Sequence, residues 1–164
     1  MNMDLQEELI NQAWHSAFGL TLPPSQHFFS TERFWEILKE YADDGVMFID
    51  CGAGSGHTCG QSGKYGIKMS GCDIFKRDQH DIDNFIQPMP AHRMPYSEIL
   101  WALVCRPDHS GWVEHLFQHT RDKDCGFIYV GHEEKVLFDV GDSDWDRMHK
   151  NVGNDNEIMF IWLP

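Results

Sequence analysis

The residues best suited to chemistry stand in one short stretch, Asp50-Cys51-Gly52-Ala53-Gly54-Ser55-Gly56, with a second acid at Asp73. Glycine at every second position removes the Cβ atoms that would hold a ligand off the backbone, and it permits a positive φ in a tight turn. The apolar run Val46-Met47-Phe48-Ile49 leads into it, so Asp50 closes a buried strand at the end where open α/β sheets bind ligands. Two common glycine loops do not fit. A phosphate-cradling G-x-x-x-x-G-K-[ST] finds its end in Gly63-Lys64, but Thr58 and Tyr65 stand where Gly and Ser or Thr are needed. A dinucleotide G-x-G-x-x-G needs glycine where this chain has His57, and Gly56 arrives one residue early. What remains is an acid followed by G-x-G-x-G, or a glycine turn that holds no ligand.

The acid and the three alternating glycines resemble the first motif of class I S-adenosylmethionine-dependent methyltransferases. Asp73 lies 23 positions after Asp50. That is where the family places an acid accepting hydrogen bonds from both ribose hydroxyls, a task suited to an acceptor-only carboxylate. The resemblance implies S-adenosyl-L-methionine as a small-molecule cofactor. It would bring the backbone of Cys51, Gly52, Ala53, Gly54 and Gly56 close to the methionine part of that cofactor. Asp50 would assist the amino-acid group and Ile74 would lie against the adenine. It also implies an α/β fold, a three-layer Rossmann-like open twisted sheet with helices on both faces, here in a lean version. The likeness is closest over residues 30–75 and architectural beyond them.

In that family the groups that meet the acceptor often follow the fourth strand, which places them in Cys105-Arg106-Pro107-Asp108-His109-Ser110-Gly111-Trp112. The single Pro107 does not make the Asn/Asp-Pro-Pro-Tyr arrangement of many amino-methylating enzymes, so the acceptor stays open. His109 is the best single candidate for a general base, because an imidazole takes up a proton near neutral pH. Arg106 is suited to hold an acidic substrate through a bidentate pair. The plainer alternative is that both residues cap the strand and the helix after it. Cys105 ends a hydrophobic strand and reads as core. His115 and His119, one helical turn apart beside Glu114, lack a third metal ligand. Asp142-Ser143-Asp144-Trp145-Asp146 starts like a calcium loop, but Arg147 replaces its obligatory glycine, so it reads as an acidic turn.

The elements that must position these groups follow from periodicity. Apolar residues at helical spacing predict a helix over 4–18 and another from about residue 30, with Phe34, Trp35, Ile37, Leu38 and Tyr41 as its buried side. Strands are expected at 46–50, 67–74, 99–105, 127–130, 135–140 and 157–163, with helices at 57–65 and 110–121. The proline-rich stretch 78–95 leaves room for only a short third strand. The 164 residues read as a single domain, 1–164, in which residues 1–45 supply helices leading into the first strand. The five cysteines include no C-x-x-C pair and read as buried small hydrophobes. The net charge of −13 argues against indiscriminate nucleic-acid binding. No apolar run is long enough for a membrane span, and the acidic start lacks the marks of a signal peptide, so a cytoplasmic protein is expected. A methyltransferase of open acceptor is the leading reading. The alternative is a catalytically inactive Rossmann-like module that binds cofactor or a protein partner, its six Trp and eleven Phe including part of that surface.

Overall fold

The structure, a computed structural model, describes residues 28–53, 57–73, 86–107, 111–134 and 144–164. The helix expected at 4–18 and the strand expected at 135–140 lie outside them. Helix α1, Glu32–Asp43, buries Phe34, Trp35, Ile37, Leu38 and Tyr41, the side its periodicity marks. Gly45, at φ +94, then turns the chain sharply, and Val46 N donates to Tyr41 O at 3.1 Å. Strand β1, Met47–Cys51, follows that turn at once.

Around β1 the sheet is built outward. Helix α2, His57–Ser62, is shorter than the 57–65 expected and gives way to a 3-10 turn at Gly63–Tyr65. Strand β2 spans Met69–Cys72, and β3 is only Ile86–Gln87, the short third strand that the prolines allow. Strand β4, Leu100–Cys105, is followed by α3, Gly111–Asp122, and β5, Phe127–His132. Strands β6, Arg147–Lys150, and β7, Glu157–Trp162, close the chain. The spatial order is β3-β2-β1-β4-β5-β7-β6. The first five strands run parallel, and β7 is antiparallel to both β5 and β6. The sequence gives no warning of β6: its residues Arg-Met-His-Lys are mostly exposed on the sheet edge and carry no apolar alternation.

Side chains alternate across the sheet. Phe48 and Asp50 face one layer, where Tyr41 of α1 packs on Trp101 with ring centroids 4.9 Å apart, and Cys59 of α2 reaches Asp50. Cys51 faces the other layer, where Tyr96 Oη lies 3.2 Å from its sulfur and α3 stacks Phe117 against Phe127 and Trp162. Helices thus cover both faces, as expected of a Rossmann-like α/β sheet. Gly126 has no Cβ because the Trp101 ring fills that space. All five cysteines are free, four buried and Cys105 half-buried. Among the described residues no helix is long and apolar enough to cross a membrane.

A staple far from local in sequence fixes the start of α1. Ser30 bridges Gly153, Thr31 N donates to Val152 O at 3.0 Å, and Asn154 N donates to Phe29 O at 3.0 Å. Thr31, at the N-cap, turns its hydroxyl to Asn151 O at 2.8 Å instead of capping its own helix.

Candidate active site

The neighbours β1 and β4 send their following helices to opposite faces, α2 to the Asp50 face and α3 to the Cys51 face. The crevice beyond their carboxyl ends is the topological switch point, the place where such sheets hold ligands. The glycine turn stands there. Gly52, at φ +70, takes the left-handed conformation that glycine adopts without strain. Both Gly52 N and Ala53 N donate to Cys72 O, at 2.9 and 3.0 Å, which ties the turn to the end of β2. The side chain of Cys51 is buried against Tyr96 on the far face, which leaves only its backbone at the turn.

Two acids flank this turn. Asp50 is 4% exposed, and Cys59 Sγ donates to its Oδ2 at 3.8 Å. Burial, reinforced by the charge of Asp73, pushes the Asp50 carboxyl up to about 7 against the opposing bond from Cys59. The Cys59 thiol is itself pushed up by burial and by Asp50, so it stays protonated and able to donate. Asp73 is also buried and directly follows β2, with its backbone N donating to Gln87 O at 3.0 Å. The two carboxylates therefore stand on adjacent strand ends on either side of the glycine turn. Gly54, Gly56, Ile74 and His109, the other residues singled out in the sequence, lie outside the described residues.

Arg106 follows β4 in a left-handed conformation, φ 46, with its N–H donating to Val130 O at 2.7 Å. Its guanidinium turns toward β7. Nη1 donates to Asp155 Oδ2 at 3.3 Å and to Glu157 Oε1 at 3.4 Å. Glu157 is 1% exposed, and its other oxygen accepts from Asp155 N at 2.7 Å. His132 Nε2 lies 3.6 Å from Asp155 Oδ1. Arg106 thus anchors the turn after β4 to the chain's own carboxylates. Its sequence neighbours do not reveal this, because the acids it meets lie about fifty positions further on.

Other residues gain roles that the sequence left unassigned. His57, read only as the break in a dinucleotide pattern, opens α2 and lies 3.0 Å from Gln61 Nε2. Ser30 Oγ donates to Gln61 Oε1, and Trp35 Nε1 donates to Ser30 Oγ at 2.8 Å. A chain of hydrogen bonds thus runs from the core of α1 to the end of the glycine loop. Trp112, in the first turn of α3, lies over Gly52: a Cβ there would stand 3.3 Å from two atoms of its ring. His115 and His119 meet His92 and Tyr96 edge to face, at 5.3 and 6.2 Å between ring centres. Among the described residues no group of three or more His, Cys, Asp or Glu side chains is arranged to hold a metal. Asp146, in the acidic stretch 142–146, accepts from Leu163 N at 2.7 Å and so ties β6 to the end of β7. A mainly apolar cavity of about 440 Å³ lies at the amino ends of β1, β2 and β4, lined by Met47, Lys68 and Leu100. That is the opposite end of the strands from both acids.

No protein-family model matches the chain, and no curated protein matches it by sequence. Its fold is similar to several solved structures. One is the 1,6-didemethyltoxoflavin-N1-methyltransferase of Burkholderia thailandensis with bound 1,6-didemethyltoxoflavin and S-adenosylhomocysteine. It has a TM-score of 0.56 and 10% identity, covering 96% of this chain and 85% of that one. Another is the magnesium protoporphyrin IX methyltransferase of Synechocystis PCC 6803 with bound S-adenosylmethionine, at TM-score 0.51, 11% identity and 98% of each chain. A third is the 23S rRNA methyltransferase ErmE, at TM-score 0.51 and 10% identity, covering 83% of this chain and 70% of that one. The chain has the Rossmann-like fold of the class I S-adenosylmethionine-dependent methyltransferases.

Proposed function

We propose that the crevice beyond β1 and β4 binds S-adenosylmethionine and that the chain is a methyltransferase. The observation that carries this reading is the glycine turn at Gly52, anchored to β2 and set between two buried carboxylates on adjacent strand ends. A buried acid such as Asp50, with a thiol as its hydrogen-bond partner, is electrostatically incomplete. A ligand carrying positive charge would lower the cost of ionising it. Asp73 offers two acceptor oxygens suited to a pair of ribose hydroxyls. Two of the similar structures hold S-adenosylmethionine or S-adenosylhomocysteine, which supports the same ligand here.

When bound, S-adenosylmethionine supplies a methyl group on a positively charged sulfur. The chain's own task is to orient the ligand and to align an incoming nucleophile, an effect that needs positioning more than proton transfer. In this reading the backbone of Cys51, Gly52, Ala53, Gly54 and Gly56 meets the methionine part, Asp50 serves the amino-acid group, and Ile74 lies against the adenine. His109 is proposed as the proton acceptor for acceptors that must lose a proton. Arg106, held by Glu157 and Asp155, is proposed to fix the turn that presents those residues rather than to clamp a substrate. We read residues 1–164 as one such domain.

The pairing of Arg106 with the chain's own carboxylates also favours a second reading, a cofactor-binding module without transferase activity. Calorimetric titration with S-adenosylmethionine and S-adenosylhomocysteine tests the common part of both. The expected result is binding that Asp73→Ala weakens at least tenfold while the melting temperature holds. No heat from either ligand at millimolar concentration would sink both readings. Release of S-adenosylhomocysteine on incubation with candidate acceptors then separates the enzyme from the binding module.

A further inference from the structure

The crevice has one wall that neither the glycine turn nor the acids account for. Helix α3 buries Val113, Leu116 and Thr120 against the sheet, a spacing of one helical face. Trp112 does not belong to that set. It stays half-buried in the first turn and extends over the end of β1, with its ring filling the space a side chain at position 52 would need. Asp50 and Cys51 point to opposite faces, and α3, which carries Trp112, packs on the Cys51 face, where His119 meets Tyr96. A buried carboxylate and an aromatic ring at one strand end form an arrangement that favours a cation over a neutral group of the same shape.

We propose that Trp112 contacts the bound cofactor and recognises its sulfonium charge, so that the site distinguishes S-adenosylmethionine from S-adenosylhomocysteine. This rests on reading the crevice as an S-adenosylmethionine site. Transfer moves the methyl carbon to the acceptor's lone pair, and the electrons of the broken carbon–sulfur bond return to sulfur. The sulfur thereby changes from a cation to a neutral thioether. The attraction of an indole for the cation exists before that step and is absent after it. Trp112 therefore holds the reactive cofactor more tightly than the spent one. A contact of this kind is worth between about twofold and thirtyfold in affinity.

The test measures the dissociation constants of both ligands on the full chain by calorimetry, for wild type, W112L and W112F. W112L is expected to bind S-adenosylmethionine about three to thirtyfold more weakly, with S-adenosylhomocysteine within about twofold of wild type. W112F, which keeps a weaker aromatic face, should fall between them. If W112L binds both ligands like wild type, or loses both equally, the proposal is overturned while the cofactor site stands. If wild type binds neither ligand, the site and the proposal fall together. Should W112L fold poorly, a fluorinated tryptophan at position 112 alone keeps the shape and weakens the negative ring face. The affinity ratio of the two ligands must then drop, and an unchanged ratio refutes the idea.

Discussion

Asp50 makes the folded protein sensitive to pH in a direction that its structure fixes. In the unfolded chain its carboxyl has the ordinary value of 3.8, and in the fold burial pushes it to about 7. Between those limits the folded state holds a proton that the unfolded state has released, so raising the pH favours unfolding. The stabilisation is fully present below the unfolded value and is gone once the pH passes the folded one. Three pH units at 1.36 kcal/mol each amount to about 4 kcal/mol. Of this, roughly 2 to 3 kcal/mol falls between about pH 5 and pH 8. Asp50→Asn keeps the shape, removes the charge and abolishes this contribution. Urea denaturation of both proteins at pH 5, 6, 7 and 8 isolates it, because every other titrating group cancels in the difference. Wild type should lose stability relative to the Asn variant by that amount as the pH rises, and the Asn variant should be the more stable protein at pH 8. It should also bind S-adenosylmethionine more weakly. A stability difference that stays flat from pH 5 to 8 would refute the claim that Asp50 is buried with no compensating cation among the described residues.

Three further outcomes follow from the packing. Gly52→Ala forces a side chain into φ +70 and against Trp112, and should cost at least about 1–2 kcal/mol in denaturation, with a change in tryptophan fluorescence. Arg106→Met leaves the 1%-exposed Glu157 without its cation and should cost about 3–5 kcal/mol, whereas Glu157→Gln, which removes the buried charge itself, should cost less; paired melting curves decide the order. Gly126→Ala drives a methyl group into the Trp101 ring and should cost at least about 1–3 kcal/mol, with Trp101→Phe in the same chain restoring part of the loss.

What could be read in the sequence is what depends on near neighbours. The buried side of α1 and the strands at β1, β4 and β7 follow from apolar runs whose period or length admits one reading. Asp50 and Asp73 were legible as acids at the carboxyl ends of β1 and β2, because where an apolar strand ends is a local property. Strand β6 escaped because an exposed edge strand needs no apolar face. Glu157 escaped for another reason. It opens an apolar strand like any polar flanking residue, and only the antiparallel placement of β7 beside β5 brings it to Arg106. Trp112 likewise looks like an ordinary aromatic at a helix start until β1 is seen to lie next to β4.

The staple between residues 28–31 and 151–154 sets an order on biosynthesis. The bond from Thr31 to Asn151 spans 120 positions, so the start of α1 emerges long before its partner exists. At translation rates of about 5–20 residues per second the wait is roughly 6–24 s. Strand β5, made near the end of that interval, then presents an unpaired edge until it is covered by β7, which comes last in the described chain. The nascent protein therefore carries an open apolar sheet edge until the β6–β7 hairpin arrives. Ribosome-bound chains ending before residue 157 should be the species that chaperones hold and proteases cut.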